Sequence, residues 1–214
     1  MALFNWAAPL FGRFGDRWSP KSISEIAGWL RPSLSPPCPA GCRVLDVGGG
    51  TGALATKLAA ELGTRITVLD PSPRMLRYIP DRAPVDAVVG TADAMPFPDD
   101  SFDALIVTDA FHHFRDQAGA VSEFSRVVKT GGIVVVVELD PRGLMQIIVS
   151  AEKLLGEPGA FFRPSQMCAF MGERGIEGTC QKMRGSSYRF TGHVSEPVLA
   201  APEVADVADS LEPA

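Results

Sequence analysis

The feature that most constrains this chain is an alternation that begins near residue 43. Short apolar runs at residues 43–47, 66–69, 85–89, 104–107 and 133–137 are separated by segments with helical spacing. Such runs suit strands covered on both faces, as in a parallel sheet. Between them Leu54, Leu58 and Leu62 share one helical face, and so do Val121, Phe124 and Val128 ahead of Gly131-Gly132. Ser72-Pro73 supplies an N-cap with proline at the first helical position. A helix is also expected over residues 22–30, and another after Asp140-Pro141, where Leu144, Ile147, Ile148, Ala151, Leu154 and Leu155 line one side. Strands alternating with helices imply an α/β, doubly wound, Rossmann-like sheet with right-handed crossovers. Residues 176–183 and 188–191 read as two more strands joined at Gly185-Ser186, a hairpin that makes one edge antiparallel.

Composition sets the outer bounds. The chain has 214 residues, 46% hydrophobic and 21% charged, which suits a single packed domain. We place that domain at residues 43–193. A helical cap (1–32) and a Pro-rich break (33–41) precede it. An acidic tail (194–214) follows, with five acids, three prolines and no base. Basic residues number 20 against 25 acidic, and no Lys/Arg run occurs, so nucleic acid is not the expected partner. The N-terminus lacks the layout of a signal peptide and no apolar run approaches the length of a bilayer span, so a cytoplasmic protein without a transmembrane segment is expected. Cys38, Cys42, Cys168 and Cys180 show no zinc-ligand spacing, and we expect reduced thiols and no metal.

Doubly wound sheets bind ligands beyond the C-terminal ends of their strands, where strand order reverses. The first such loop is Asp46-Val47-Gly48-Gly49-Gly50-Thr51-Gly52. Its glycines permit positive φ and close approach of a ligand to the backbone. Gly48, Gly50 and Ala53 also fit the spacing of a dinucleotide loop. Asp46 shifts the balance. A carboxylate at the strand end suits a ligand bearing an ammonium group, such as S-adenosylmethionine, better than a pyrophosphate. Asp70, at the end of the second strand, is placed to accept hydrogen bonds from ribose hydroxyls. Asp93 in the third loop is a candidate acceptor for an adenine amino group. The fourth strand runs into Thr108-Asp109-Ala110-Phe111-His112-His113-Phe114. Neighbouring histidines are expected to point apart, which disfavours a shared metal. Either one, facing a substrate, has the right chemistry for a general base.

Four segments occur in order: Asp46 to Gly52; Leu69-Asp70-Pro71-Ser72-Pro73-Arg74-Met75-Leu76; Asp93 to Asp103; and Arg126-Val127-Val128-Lys129-Thr130-Gly131-Gly132. Over residues 43–140 the chain resembles the class I S-adenosylmethionine-dependent methyltransferases of the type-11 group, which includes the ubiquinone and menaquinone C-methyltransferases. The resemblance implies a seven-stranded sheet with an antiparallel last strand. It implies that Asp46, Gly48, Gly50 and Gly52 hold the methionine part of the cofactor and Asp70 its ribose. Pro71 and Met75 would flank the adenine, with Asp93 and Ala94 at its edge. Thr108 and Asp109 would lie below the sulfonium. S-adenosylhomocysteine would be the product. The chain departs from the quinone enzymes at Phe111-His112-His113-Phe114, where those carry a Phe-Gly-x-Arg-Asn type of segment that faces the acceptor.

Methyl transfer needs a base only where the acceptor must lose a proton, and His113, His112 and Asp109 are the candidates, in that order. The expected acceptor is a small, hydrophobic molecule methylated at oxygen or carbon, a quinone-like one included. Its cap would be built from residues 1–30 and 140–175. Phe4, Trp6, Leu10, Phe11, Phe14 and Trp18 read either as an apolar lid able to touch a membrane surface or as ordinary packing. Two rival readings stand beside this one: an NAD(P)-binding oxidoreductase, and an S-adenosylmethionine-binding protein without catalysis.

Overall fold

Four consecutive β-branched residues, Val134 to Val137, lie at the heart of the longest strand and set the sheet around it. The computed structural model describes residues 18–34, 41–142 and 160–196. Its strands are β1 (Val44–Val47), β2 (Ile66–Asp70), β3 (Val85–Val89), β4 (Phe102–Thr108), β5 (Val128–Leu139), β6 (Ile176–Lys182) and β7 (Ser187–Val194). They form one seven-stranded sheet in the order β3-β2-β1-β4-β5-β7-β6. The strands β1 to β5 run parallel, and β7 enters antiparallel between β5 and β6. The expected hairpin is present, with its second strand inserted beside β5. Chain order moves outward from β1 to β3 and then returns to β4 on the other side. The switch point therefore lies between β1 and β4.

Among the described residues five helices flank the sheet: α1 (Pro20–Leu30), α2 (Ala53–Leu62), α3 (Pro73–Leu76), α4 (Gln117–Val127) and α5 (Pro164–Gly172). Alternate residues of each strand serve opposite faces. Leu45, Val47, Leu105, Val107, Val134 and Val136 pack with Phe124 and Val127 of α4 and with Met167 and Met171 of α5. Val44, Ile66, Val68, Ala104, Ile106, Ile133 and Val135 pack with α1 and α2 through Ile23, Ile26, Leu30, Leu54 and Leu58. Ser19 caps α1 by accepting from the Ser22 amide, and Ser72 caps α3 by accepting from Met75.

Some expectations need correction. The helix expected to continue to Gly131-Gly132 ends at Val127, and Val128 already belongs to β5. Val128 pairs with Phe102, after which the ladder shifts so that Ala104 faces Ile133. A buried β-branched residue gains more on a pleated surface than in a last helical turn. Gly131, at φ +77°, takes up the irregularity. Cys42 is disulfide-bonded rather than reduced, whereas Cys168 and Cys180 are free. The helix expected after Pro141, the aromatic segment at residues 4–14 and most of the acidic tail lie outside the described residues. Among the described residues no helix is long and apolar enough to cross a membrane.

Phe124 is fully buried and touches the rings of Phe111 and Phe114 beside the switch point. Phe124→Ala should cost about 3–5 kcal/mol of stability, read as a lower urea midpoint at unchanged slope. A loss under 1 kcal/mol would show that α4 does not carry this face of the core.

Candidate active site

The loop after β1 is wound too tightly for side chains. Gly48, Gly50 and Gly52 have φ of +71°, +57° and +66°, a region that other residues enter only with strain. Space is short as well. A Cβ on Gly48 would stand 2.7 Å from Ala110 Cβ, and one on Gly50 would stand 3.2 Å from Met75 Cε. These contacts join the loop after β1 to those after β4 and β2. The amides of Gly48, Gly50 and Gly52 donate to Leu69 O (2.7 Å), Asp70 Oδ2 (3.0 Å) and Gly49 O (3.0 Å). All three are engaged within the protein. They do not form the set of outward amides that a pyrophosphate requires.

Asp46 is 1% exposed, and neither carboxylate oxygen has a hydrogen-bond partner among the described residues. Burial, followed by the negative charge of nearby Asp70, pushes its pKa up to about 7. A buried acceptor without a donor is unfavourable by itself. Its chemistry fits a ligand that brings a cationic donor to this spot.

Asp70 does two jobs. Its Oδ2 accepts from Gly50 N at 3.0 Å and its Oδ1 from Ser72 N at 2.8 Å, so one carboxylate ties the loops after β1 and β2 together. Burial raises its pKa, and those two amides oppose the rise. Each oxygen retains a lone pair suited to a hydroxyl donor. Pro71 is exposed beside it, and Met75 is nearly buried against Gly50.

Asp93 and Ala94 are exposed on a turn closed by a bridge between Thr91 and Ala94. That turn is held from α4. The Arg126 guanidinium donates to Phe97 O (2.8 Å), Met95 O (3.2 Å) and the Asp99 carboxylate (2.7 Å), while Glu123 accepts from Met95 N at 2.7 Å and pairs with Arg126. Neither Arg126 nor Glu123 was expected to bear on the site. Their three-residue spacing on a helix beside a Pro-rich loop is the signal that was available.

Thr108 ends β4, and Asp109 follows at φ +50°, its amide donating to Val137 O at 2.9 Å. Aspartate tolerates this left-handed conformation better than most residues. The chain then enters a short 3-10 turn, Phe111–His113. Contrary to expectation the two imidazoles stay together, their centroids 3.9 Å apart, because the tight turn keeps both side chains on one side. His112 is buried. Its Nδ1 lies 2.7 Å from Glu138 Oε2, while Glu138 Oε1 accepts from Phe111 N at 2.9 Å. The ring of Phe161 stacks on His112 with centroids 4.3 Å apart and planes at 17°. Sequence reasoning missed Glu138 as well, although it is the lone acid closing a five-valine-like apolar run. Among the described residues no group of three or more His, Cys, Asp or Glu could hold a metal ion.

The geometry thus joins Gly50, Asp70 and Met75 by direct contact, with Asp46 buried near Asp70. Asp93 and Ala94 stand on the loop after β3, and Thr108, Asp109 and the histidines stand beyond β4. Residues 45–136 match the family described as a methyltransferase domain (Methyltransf_11). Among curated relatives, an uncharacterised methyltransferase of Mycobacterium tuberculosis is 39% identical over 118 residues, 55% of this chain and 45% of the relative. The 2-methyl-6-phytyl-1,4-hydroquinone methyltransferase of Synechocystis is 37% identical over 129 residues, 58% of this chain and 40% of the relative. The demethylmenaquinone methyltransferase of Chlorobaculum tepidum is 37% identical over 97 residues, 45% of this chain and 40% of the relative. The chain spans less than half the length of these relatives. Among solved structures, the cyclase SpnF superposes with a TM-score of 0.71 at 18% identity, covering 91% of this chain and 95% of that one. A possible histamine N-methyltransferase of Thermotoga maritima superposes with a TM-score of 0.67 at 20% identity, covering 91% and 99%. These two likenesses speak to the fold.

Because the pKa of Asp46 is raised in the folded protein, its ionisation opposes folding. The ligand-free protein should lose stability as pH rises from about 4 to about 7, by at most about 1.4 kcal/mol per pH unit from this group. Asp46→Asn should remove that dependence, so its stability relative to the parent improves between pH 5 and pH 8. Parallel pH profiles of the two proteins in urea would show that Asp46 is not the group responsible.

Proposed function

We propose that the chain is an S-adenosylmethionine-dependent methyltransferase acting on a small, apolar acceptor that loses a proton during transfer. The observation that carries the cofactor assignment is Asp46, a buried carboxylate with neither oxygen satisfied among the described residues, at the foot of a loop whose measured amides are engaged elsewhere. Asp46 would receive the ammonium of the methionine part. Gly48, Gly50 and Gly52 would let that part lie against the backbone, and Asp70 would accept from the ribose hydroxyls. Pro71 and Met75 would flank the adenine, with Asp93 and Ala94 at its edge on the turn that Arg126 holds. Thr108 and Asp109 would lie beneath the sulfonium. When bound, the cofactor supplies a methyl group on a sulfonium, already activated for in-line displacement.

The chain's own contribution is then alignment and proton removal. Well-oriented reactants gain up to about 7–11 kcal/mol over a bimolecular encounter. For the proton we favour His112 over His113 and Asp109. As a carboxylate, Glu138 is acceptor-only, so the hydrogen between the two sits on His112 Nδ1 and the lone pair lies on Nε2. The Phe111 amide fixes the carboxylate from its other oxygen. The aromatic surroundings of His112, with Phe161 against its face, favour an apolar, planar acceptor. Quinol-type acceptors of the relatives named above satisfy both conditions.

The oxidoreductase alternative is disfavoured by the same loop. Two buried carboxylates and three engaged amides oppose a pyrophosphate, so NAD(H) and NADP(H) should give no thermal stabilisation while S-adenosylhomocysteine should give several degrees. Affinity for S-adenosylmethionine should tighten as pH rises from 6 to 7, approaching tenfold per unit while Asp46 is being deprotonated, and level off above. Asp46→Asn should flatten that profile. Asp70→Ala should weaken binding about tenfold or more, the worth of two hydrogen bonds. A dissociation constant unchanged in Asp70→Ala would remove the ribose assignment.

Transfer itself is tested with methyl-labelled cofactor and a small-molecule fraction of a cell extract, with the product identified by mass. Binding without transfer to any component would favour the non-catalytic reading. Once an acceptor is found, His112→Gln should lower kcat by about 10²–10⁴, and Glu138→Gln should lower kcat with a shifted pH profile at similar KM. A full rate in His112→Gln with a large loss in His113→Gln would reverse the choice of base.

A further inference from the structure

Helix α5 lies across the hairpin, and its thiol Cys168 faces Cys180 of β6 with the two Sγ atoms 2.8 Å apart. Both cysteines are free and only partly buried. Such a separation is well inside ordinary contact for two sulfurs, and about 0.8 Å of closure separates it from a disulfide bond length. The Cys180 thiol also donates to Pro164 O at 3.0 Å, where α5 begins. Three residues upstream is Phe161, whose ring stacks on His112. Phe162 follows, its carbonyl accepting from Tyr188 OH at 3.0 Å and its ring 4.7 Å from that of Phe170 on α5. The pair of thiols therefore joins β6 to α5, the helix that follows directly on the cover of the buried imidazole. The cover must move if His112 is to meet an acceptor, because the histidine is 5% exposed in the arrangement seen.

We propose that Cys168 and Cys180 form a reversible disulfide that locks α5 to β6 and keeps Phe161 closed over His112, so that oxidation slows acceptor access without altering cofactor binding. Only the consequence for turnover rests on the reading of His112 as the acceptor-side base. The oxidant is a low-molecular-weight disulfide such as oxidised glutathione. The Cys168 thiolate attacks one of its sulfurs, that S–S bond breaks, and a small-molecule thiolate leaves. The Cys180 thiolate then attacks the mixed disulfide, forming the Cys168–Cys180 bond and releasing a second small-molecule thiol. Two protein thiols give up two protons and two electrons in all, and one small disulfide becomes two thiols. Burial and the neighbouring Cys168 push the Cys180 thiol up, which makes Cys168 the better first nucleophile.

The test uses the full chain in glutathione buffers of graded poise, with free thiols alkylated and mapped by peptide mass. In the same samples diethyl pyrocarbonate reports the reactivity of each histidine. Oxidation should protect both cysteines from alkylation, lighten their linked peptides by two hydrogens and slow His112 modification about fivefold. His193, exposed on β7, serves as the internal reference and should not change. Dithiothreitol should restore the faster rate, and Cys168→Ser with Cys180→Ser should hold His112 at the reduced rate in every buffer. Cysteines that stay alkylatable across the whole range, or a His112 rate identical in the two states, would overturn the proposal. So would loss of S-adenosylhomocysteine binding on oxidation alone, since that would mean a general disturbance of the fold. Failure of S-adenosylhomocysteine to bind in both states would instead defeat the methyltransferase reading and leave the thiol and histidine results to be read independently.

Discussion

The carboxylate of Asp70 is the joint on which the cofactor side of the molecule depends. It ends β2, yet it reaches back to the Gly50 amide of the loop after β1 and forward to the Ser72 amide that opens α3. It thereby ties the loop after β1 to the loop after β2 through two backbone amides. With it, Gly50 is held at positive φ against Met75. Burial is the main reason that Asp46 is costly to ionise, and the link adds to it. Asp70 is committed to remain in place nearby, so a second negative charge must be accommodated in the same buried space. A positive ligand group relieves that conflict, and a phosphate would sharpen it.

Much of this was legible in the chain before any coordinates, because the relevant signals are local. Strand runs and helical spacing place β1 to β5, and the Ser72-Pro73 cap marks the start of α3. Where the expectation slipped, tertiary packing outweighed local pattern. Val128 has helical spacing with Val121 and Phe124, but a partner strand at Phe102 draws it into β5. The divergence expected for His112 and His113 assumed extended backbone, whereas a 3-10 turn keeps their rings adjacent. The contacts that were not legible are those between distant segments. Glu138 meets His112 only because β4 and β5 are neighbours, and Arg126 meets residues 95–99 only because α4 packs beside that loop. Spacing along a chain carries no trace of either distance.

The two sides of the site also differ in how strongly the fold constrains them. The glycine loop, Asp46 and Asp70 follow from the switch point between β1 and β4, a property of the sheet itself. The acceptor side is assembled from the turn after β4, the end of β5 and the segment leading into α5, elements free to vary on a common sheet. The superposition with the cyclase SpnF makes the point. Much of the same architecture can present different chemistry, so the fold identifies the cofactor side more firmly than the reaction. Function on the acceptor side has to be argued from Glu138, His112 and Phe161.

Those three residues impose opposite requirements. The Glu138 pair needs burial, because a dry surrounding strengthens its hold on the imidazole and fixes the tautomer. In the proposed role of His112 as base, proton removal needs contact with the acceptor, which a buried imidazole under a stacked phenyl ring does not allow. A fixed structure cannot satisfy both, so the cover must be the part that moves while the pair stays still. The distribution of contacts agrees with that division. Glu138 and His112 are anchored by the sheet and a backbone amide. Phe161 is carried on a short segment tied down by the Gln117–Ala160 pair, the Tyr188–Phe162 hydrogen bond and the contact of the Cys180 thiol with Pro164 O at the start of α5. The Gln117–Ala160 bonds are exposed, the Tyr188–Phe162 bond is partly buried and the Cys180 thiol makes a sulfur contact, and together these ties hold the segment that covers the imidazole.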